Sequence, residues 1–220
     1  MAVCTARVEA GQPLAEALAA GGIVCLGPGV HAGPLAPTVS VTLRGEAGAV
    51  LDAKGGGSVV AVDGDDLVVR IEALTLRGGS AEAGGGVSLT AYSEVVLANC
   101  IVEDNTARAL GGGKGGGGGV YANRGTLRVE GGTFRRNHAS IGSDLFVTGV
   151  AEVFVTGGHL GGDVAAREGA KVSMEGVKVD GVLDVRGTTT RAPTVTLEGG
   201  HLRGGVKNDP ALPAQVEILK

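Results

Sequence analysis

The segment VRIEALTLRGG (69–79) returns in altered form as VVLANCIVEDN (95–105), LRVEGGTFRRN (127–137), VFVTGGHLGG (153–162), VSMEGVKVDG (172–181) and VTLEGGHLRGG (195–205). The copies align without gaps into columns. Ile71, Leu97, Val129, Val155, Met174 and Leu197 form one apolar column, and Leu76, Val102, Phe134, Leu160, Val179 and Leu202 form another. Both are expected to point inward, because strands alternate their side chains between two faces. A second strand family interleaves with the first: SVVAVDG (58–64), GVSLTAY (86–92), GVYANRG (119–125), DLFVTGV (144–150), DVAAREG (163–169) and VLDVRGT (182–188). One member of each family makes a coil. Stacking coils at ~4.8 Å buries like against like. The fold class read from this pattern is all-β: a right-handed parallel β-helix of about seven coils, a rod of roughly 35 Å at that spacing.

Composition agrees. Of 220 residues 42 are Gly, 43% are hydrophobic, 2% are aromatic and none is Trp. Gly without a three-residue period excludes collagen, and the recurring Val and Leu exclude disorder. Glycines are expected at the corners, where positive φ is needed. Gln12–Ala20 is the helical segment, with Leu14, Ala17 and Leu18 at helical spacing, and it caps the first coil. The organisation is one β-helix domain: 1–37 the cap and first strand, 38–205 the coils, and 206–220 a closing segment. Pro210 and Pro213 blunt the last edge, and QVEIL supplies a last strand.

The net charge is −4, with no basic stripe, which argues against nucleic acid. No apolar run reaches the ~20 residues of a membrane span. The N-terminal 22 residues lack a signal-peptide pattern, which leaves a cytoplasmic protein or a mature secreted or surface one. Three cysteines without metal-ligand spacing argue against zinc. Cys4 and Cys25 are either a bridge across the cap or, with Cys100, small buried hydrophobes.

A short helix followed by VCLGPGVHAGPL, VTLRGEAGAVLDA and IEALTLRGG resembles the opening of the pectin-lyase-like right-handed β-helix superfamily. Residues 99–148 are also similar to the repeats of polymorphic outer-membrane proteins, an FxxN motif followed by GGA and Ile, Val or Leu. Phe134–Asn137 matches FxxN; Val102–Asn105 matches at the Asn. Gly118–Val120 is a loose second motif, and Ile141–Leu145 departs from it. The resemblance implies polysaccharide lyases and hydrolases, adhesins, passenger domains or bare scaffolds, and fold alone does not choose among them.

Lyase or hydrolase chemistry needs clustered carboxylates, with calcium and a base or as an Asp pair on neighbouring coils. Three outward columns carry the polar residues. The first is Glu72, Ala98, Glu130, Thr156, Glu175 and Glu198. The second is Thr75, Ile101, Thr133, His159, Lys178 and His201. The third is Arg77, Glu103, Arg135, Gly161, Asp180 and Arg203. The third reads as a solvated ion-pair ladder. Glu175 and Glu198 with His159, Lys178 and His201 read as an exposed strand face of neutralising charges, and in the enzyme alternative as acid and base groups, with His138. Asn105 and Asn137 are expected to bond to each other and to backbone inside the solenoid. Arg136 and His138 are placed to face a ligand beneath the Gly-rich loop. The loop itself, Gly111–Gly119, reads as a flexible surface excursion rather than a phosphate loop, since it lacks the Gly-Lys-Ser/Thr ending and a following helix. Tyr92 and Tyr121 are candidates for a small sugar platform. The function expected is a non-catalytic structural or interaction module, adhesin-like or scaffold, monomeric, with a protein or glycan partner and no cofactor or metal. The alternative is a polysaccharide-active enzyme.

Overall fold

The computed structural model describes residues 3–108, 115–188, 190–208 and 214–219. The chain winds as a right-handed parallel β-helix. Its three stacked sheets are called A, B and C here and hold ten, eight and seven strands, all paired in parallel. Seven strands in the third sheet mean seven three-sided coils; sheet A extends beyond them at both ends.

Each copy of the longer repeat is two strands, not one. Val68–Glu72 lies in sheet A and Thr75–Arg77 in sheet B, and later coils repeat this. The bend explains a feature of the columns. Ile71 and Leu76 are an odd number apart, so a single strand would point them to opposite faces. A left-handed residue between them turns the chain, and both point inward. The turning positions are Ala73, Asn99, Gly131, Gly157, Gly176 and Gly199, with φ between 51° and 72°. Glycine was the residue expected at such corners, yet Ala73 and Asn99 hold two of them, as do Asp104 and Arg136 at the end of sheet B. Each accepts a strained backbone that stacking on both sides imposes.

Both inward columns keep their register throughout. Their members from Ile71 to Leu197 and from Leu76 to Val179 are at most 3% exposed. Sheet C adds Val60, Val87, Val120, Leu145, Val164 and Leu183, also buried. The core is a narrow aliphatic shaft, which is why Phe134 is its one aromatic side chain.

At the start, the helix is shorter than expected, Ala15–Ala20, preceded by Pro13 and ended at Gly21. It buries Leu14 and Leu18 over the first coil. Ala6–Val8 forms the first strand of sheet A, beside Gly22–Leu26. Cys4 and Cys25 are joined by a disulfide, and Cys100 is a buried free thiol. Burial pushes the Cys100 thiol up to about 11. Gln215–Leu219 is the last strand of sheet A. Pro210 and Pro213 lie outside the described residues.

Candidate functional site

The most elaborate region lies where sheet B hands over to sheet C in the middle coils. There the chain leaves the triangular path and builds an extra ladder: Ser80–Ala81 pairs with Thr106–Ala107, and single bridges join Thr106 to His138, Ala83 to Gly116 and Gly116 to Ile141. Beneath it runs a buried polar chain. Asn105 Oδ1 accepts from the Gly79 N–H at 2.9 Å. Asn105 Nδ2 donates to the Leu76 carbonyl at 3.0 Å and to Asn137 Oδ1 at 3.2 Å. Asn137 Nδ2 donates to the Val102 carbonyl and to Asp144 Oδ1, each at 2.9 Å. Asp144 Oδ2 ends the chain by accepting from the Gly162 N–H at 2.6 Å.

This geometry explains the coupling between the two sequence motifs. Gly86 and Gly119 pass directly against the amides of Asn105 and Asn137, and a Cβ on Gly119 would fall 2.5 Å from the Asp144 carbonyl oxygen. The departure at Ile141–Leu145 is the terminus of the ladder: Asp144 stands where the preceding coils carry Gly119 and Gly86. The expected flexible excursion is corrected here in part. Gly111–Lys114 lie outside the described residues, but Gly115–Gly119 are buried, with Gly116 packed on the Phe146 ring. These glycines serve close backbone stacking, not mobility.

Arg136 is engaged by carboxylates, and residues 109–114 of the loop expected to lie over it and His138 are outside the described residues. Arg136 makes two 2.8 Å bonds to the Asp104 carboxylate and a third to Glu103 Oε2, which also accepts from Arg135 at 2.7 Å. The His138 ring contacts the Arg136 carbonyl through Nδ1 at 2.9 Å. Similar pairing recurs over the surface. Arg77 bonds Asp52, and Arg167 and Arg186 share Asp184. On sheet A, Arg44 and Arg70 share Glu72, and Arg70 reaches across a whole coil to Glu130 at 2.8 Å. On the coil between them the outward-pointing Val96 and Ala98 are each 5% exposed.

The group at the later coils is rearranged relative to the sequence reading. His159 Nε2 lies 2.7 Å from Asp180 Oδ2, and Lys178 and Arg203 lie 3.3 and 3.6 Å from Oδ1. Asp180, from the third column, takes the place expected of the two glutamates. Glu175 and Glu198 are neighbours in register on exposed sheet A, while His201 pairs in register with Lys178 on sheet B. Neither glutamate lines any of the four surface depressions described. Among the described residues, no three His, Cys, Asp or Glu side chains gather as a metal site would require.

The chain matches no family model, no curated protein and no solved structure.

The tyrosines do not form one platform. Tyr121 packs at a tilt against Phe146, with centroids 5.5 Å apart, while Tyr92 is 58% exposed with the Arg124 guanidinium 5.7 Å from its ring. His31 was not singled out in sequence, yet it heads the inward column of sheet B, fully buried, with Nε2 2.8 Å from the Gly27 carbonyl. Its apolar neighbours Val30 and Ala32 point outward, so residue alternation alone would have placed His31 on the outer face. No described helix is long and apolar enough to cross a membrane.

The carboxylates fall into two groups with opposite pH behaviour. Hydrogen bonds from arginine hold Asp104 and Glu72 below their ordinary values, and His159 does so for Asp180. These groups add stability that is complete above the ordinary carboxylate range near pH ~4 and lost as pH falls through the lowered folded values. Asp144 goes the other way: burial raises it, so its contribution is complete below pH ~4 and lost as pH rises through the raised value. The lowered groups are the more numerous, so denaturant midpoints should fall on acidification. Asp104→Asn should make that fall shallower, and an unchanged slope would contradict the pairing.

Proposed function

We propose that this chain is a non-catalytic β-helical interaction or scaffold module of the adhesin-like kind. The observation that carries the reading is the disposition of charge. Carboxylates that stacking brings into line, Glu72, Glu130, Glu103, Asp104 and Asp184, are held by arginines from their own coil or from one or two coils away. A carboxylate tied to arginine on an open face has no cleft around it to exclude water and no free oxygen aimed at a substrate. We infer kinship with the pectin-lyase-like β-helices. Supporting it are the three parallel sheets and the strand end at Phe134–Asn137, whose Asn joins the internal ladder.

One observation favours the enzyme reading. Glu175 and Glu198 are paired in register, and the ~4.8 Å between strands is near the ~5 Å that retaining glycosidases use. The test is incubation with acidic and neutral polysaccharides, with and without calcium, assaying new reducing ends and unsaturated products. The module reading expects none. Turnover that disappears in folded Glu175→Gln or Glu198→Gln would establish the enzyme instead.

A further inference from the structure

Sheet A overhangs the other two sheets at both ends of the rod. Its strand order begins at Ala6–Val8, the head, and finishes at Gln215–Leu219, the tail, with no described strand paired beyond either. An open edge offers unpaired N–H and C=O groups to another strand. At the tail, Val216 and Ile218 continue the inward column of Val195 and Leu197, yet Ile218 is 50% exposed and Leu219 beside it 42%. The tail also lacks cations. Earlier on this sheet Glu72, Glu94, Glu130 and Glu152 are each held by an arginine or lysine from an adjacent strand or from two strands away. On the last three strands Glu175, Glu198 and Glu217 have no ion pair among the described residues. No further strand stands there to bring one.

The head supplies what the tail lacks. Ala6 and Val8 lie in the inward column of Val24 and Leu26, and Arg7 points outward between them. Arg7 heads the same column that Glu175, Glu198 and Leu219 finish. A head strand added to the tail in the register of the sheet therefore places Arg7 beside Leu219, on the diagonal to Glu217. Arg128 uses that same diagonal to reach Glu94 at 2.8 Å. Arg7 already holds Glu9 and Glu46 of its own copy, but Arg70 serves carboxylates on two strands at once. Between the head strand and the capping helix lies a depression of about 400 Å³, with Ala6, Val8, Pro13, Ala17 and Ala20 in its lining. It offers apolar cover to the exposed Ile218. A tail-to-tail pair would bring more unpaired glutamates and no Arg7.

We propose that the Gln215–Leu219 edge receives the Ala6–Val8 edge of a second copy of this chain, so that sheet A runs on from one rod into the next. The two edges differ, so the contact is heterologous and repeats into linear assemblies. The test is sedimentation velocity of the whole chain over rising concentration at low salt. Species larger than dimers should grow with concentration. Ile218→Lys, which charges the open inward column, should weaken association at least about ten-fold, and so should Glu217→Arg, which sets like charge against Arg7. Arg7→Glu should do the same, and mixing it with Glu217→Arg should restore assembly, because each reversed edge then meets its opposite. Arg7 also braces the cap, so if Arg7→Glu loosens the fold the two tail variants decide the matter. A chain that stays monomeric, that stops at dimers, or that assembles equally well with Ile218→Lys and Glu217→Arg overturns the proposal. It goes beyond the reading as an interaction module, which stands under any of these outcomes because polysaccharide turnover is what bears against that.

Discussion

Asn137→Ala should lower the stability of the solenoid by about 3 kcal/mol or more. The substitution strips four groups at once. The Asn105 N–H and Nδ2 lose their acceptor at 3.2 Å, and the Val102 carbonyl and Asp144 Oδ1 lose a donor at 2.9 Å. Asn105 is fully buried and Asn137 7% exposed, so water cannot easily replace what is lost. An unmet buried donor or acceptor costs ~1–3 kcal/mol, and four in one network exceed the loss of a single bond even if relaxation recovers half. Asp144→Ala should follow with a smaller loss, since it orphans only the Asn137 amide and the Gly162 N–H. Urea unfolding followed by far-ultraviolet circular dichroism measures both. A shift of Asn137→Ala within ~0.5 kcal/mol of the parent would mean that the ladder contributes no more than an ordinary surface contact.

The second large effect lies at the cap. The Cys4–Cys25 disulfide closes a loop of 21 residues and pins the segment before Ala6–Val8 to the strand Gly22–Leu26. By loop-closure entropy such a link contributes about 3 kcal/mol. That segment is otherwise held by three strand residues and the Thr5–Ile23 bonds, and it covers the open edge of sheet A together with the helix. Paired Cys4→Ser and Cys25→Ser, or reduction, should therefore unravel the cap first. Amide exchange should rise over residues 3–26, while the coils beyond Val41 keep their protection, as nearest-neighbour stacking allows. Cys100 should stay unreactive in the native state, being 1% exposed. Uniform loss of protection along the whole rod would contradict a local role.

Which parts of this architecture were visible in sequence follows from what repeats. The apolar columns were legible because parallel stacking places like residues on like, and the register of Ile71 through Leu197 is the alignment of the strings themselves. The bend at Ala73 was hidden, since alanine gives no cue to a left-handed backbone; only the odd interval from Ile71 to Leu76 betrays it. Asn99 carried more information, because asparagine tolerates that conformation. The ladder was legible at Asn105 and Asn137 but not at Asp144, which read as a broken glycine motif until the stacking placed it under Asn137. Charge pairing was the least legible. Arg136 meets Asp104 only because the long loop between them restores the register, and Arg70 meets Glu130 across a full intervening coil. His159 found Asp180 rather than Glu175 or Glu198 because the two glutamates lie on sheet A while His159 lies on sheet B, and no column alignment contains diagonals.

The account stands most directly on affinity electrophoresis of the folded protein through gels containing acidic or neutral polysaccharides with calcium, followed by staining for the polysaccharide. A non-catalytic module with its carboxylates tied to arginine predicts an intact stain in every gel, whether or not migration is retarded. A cleared zone beneath the protein band, lost in Glu175→Gln, would contradict it.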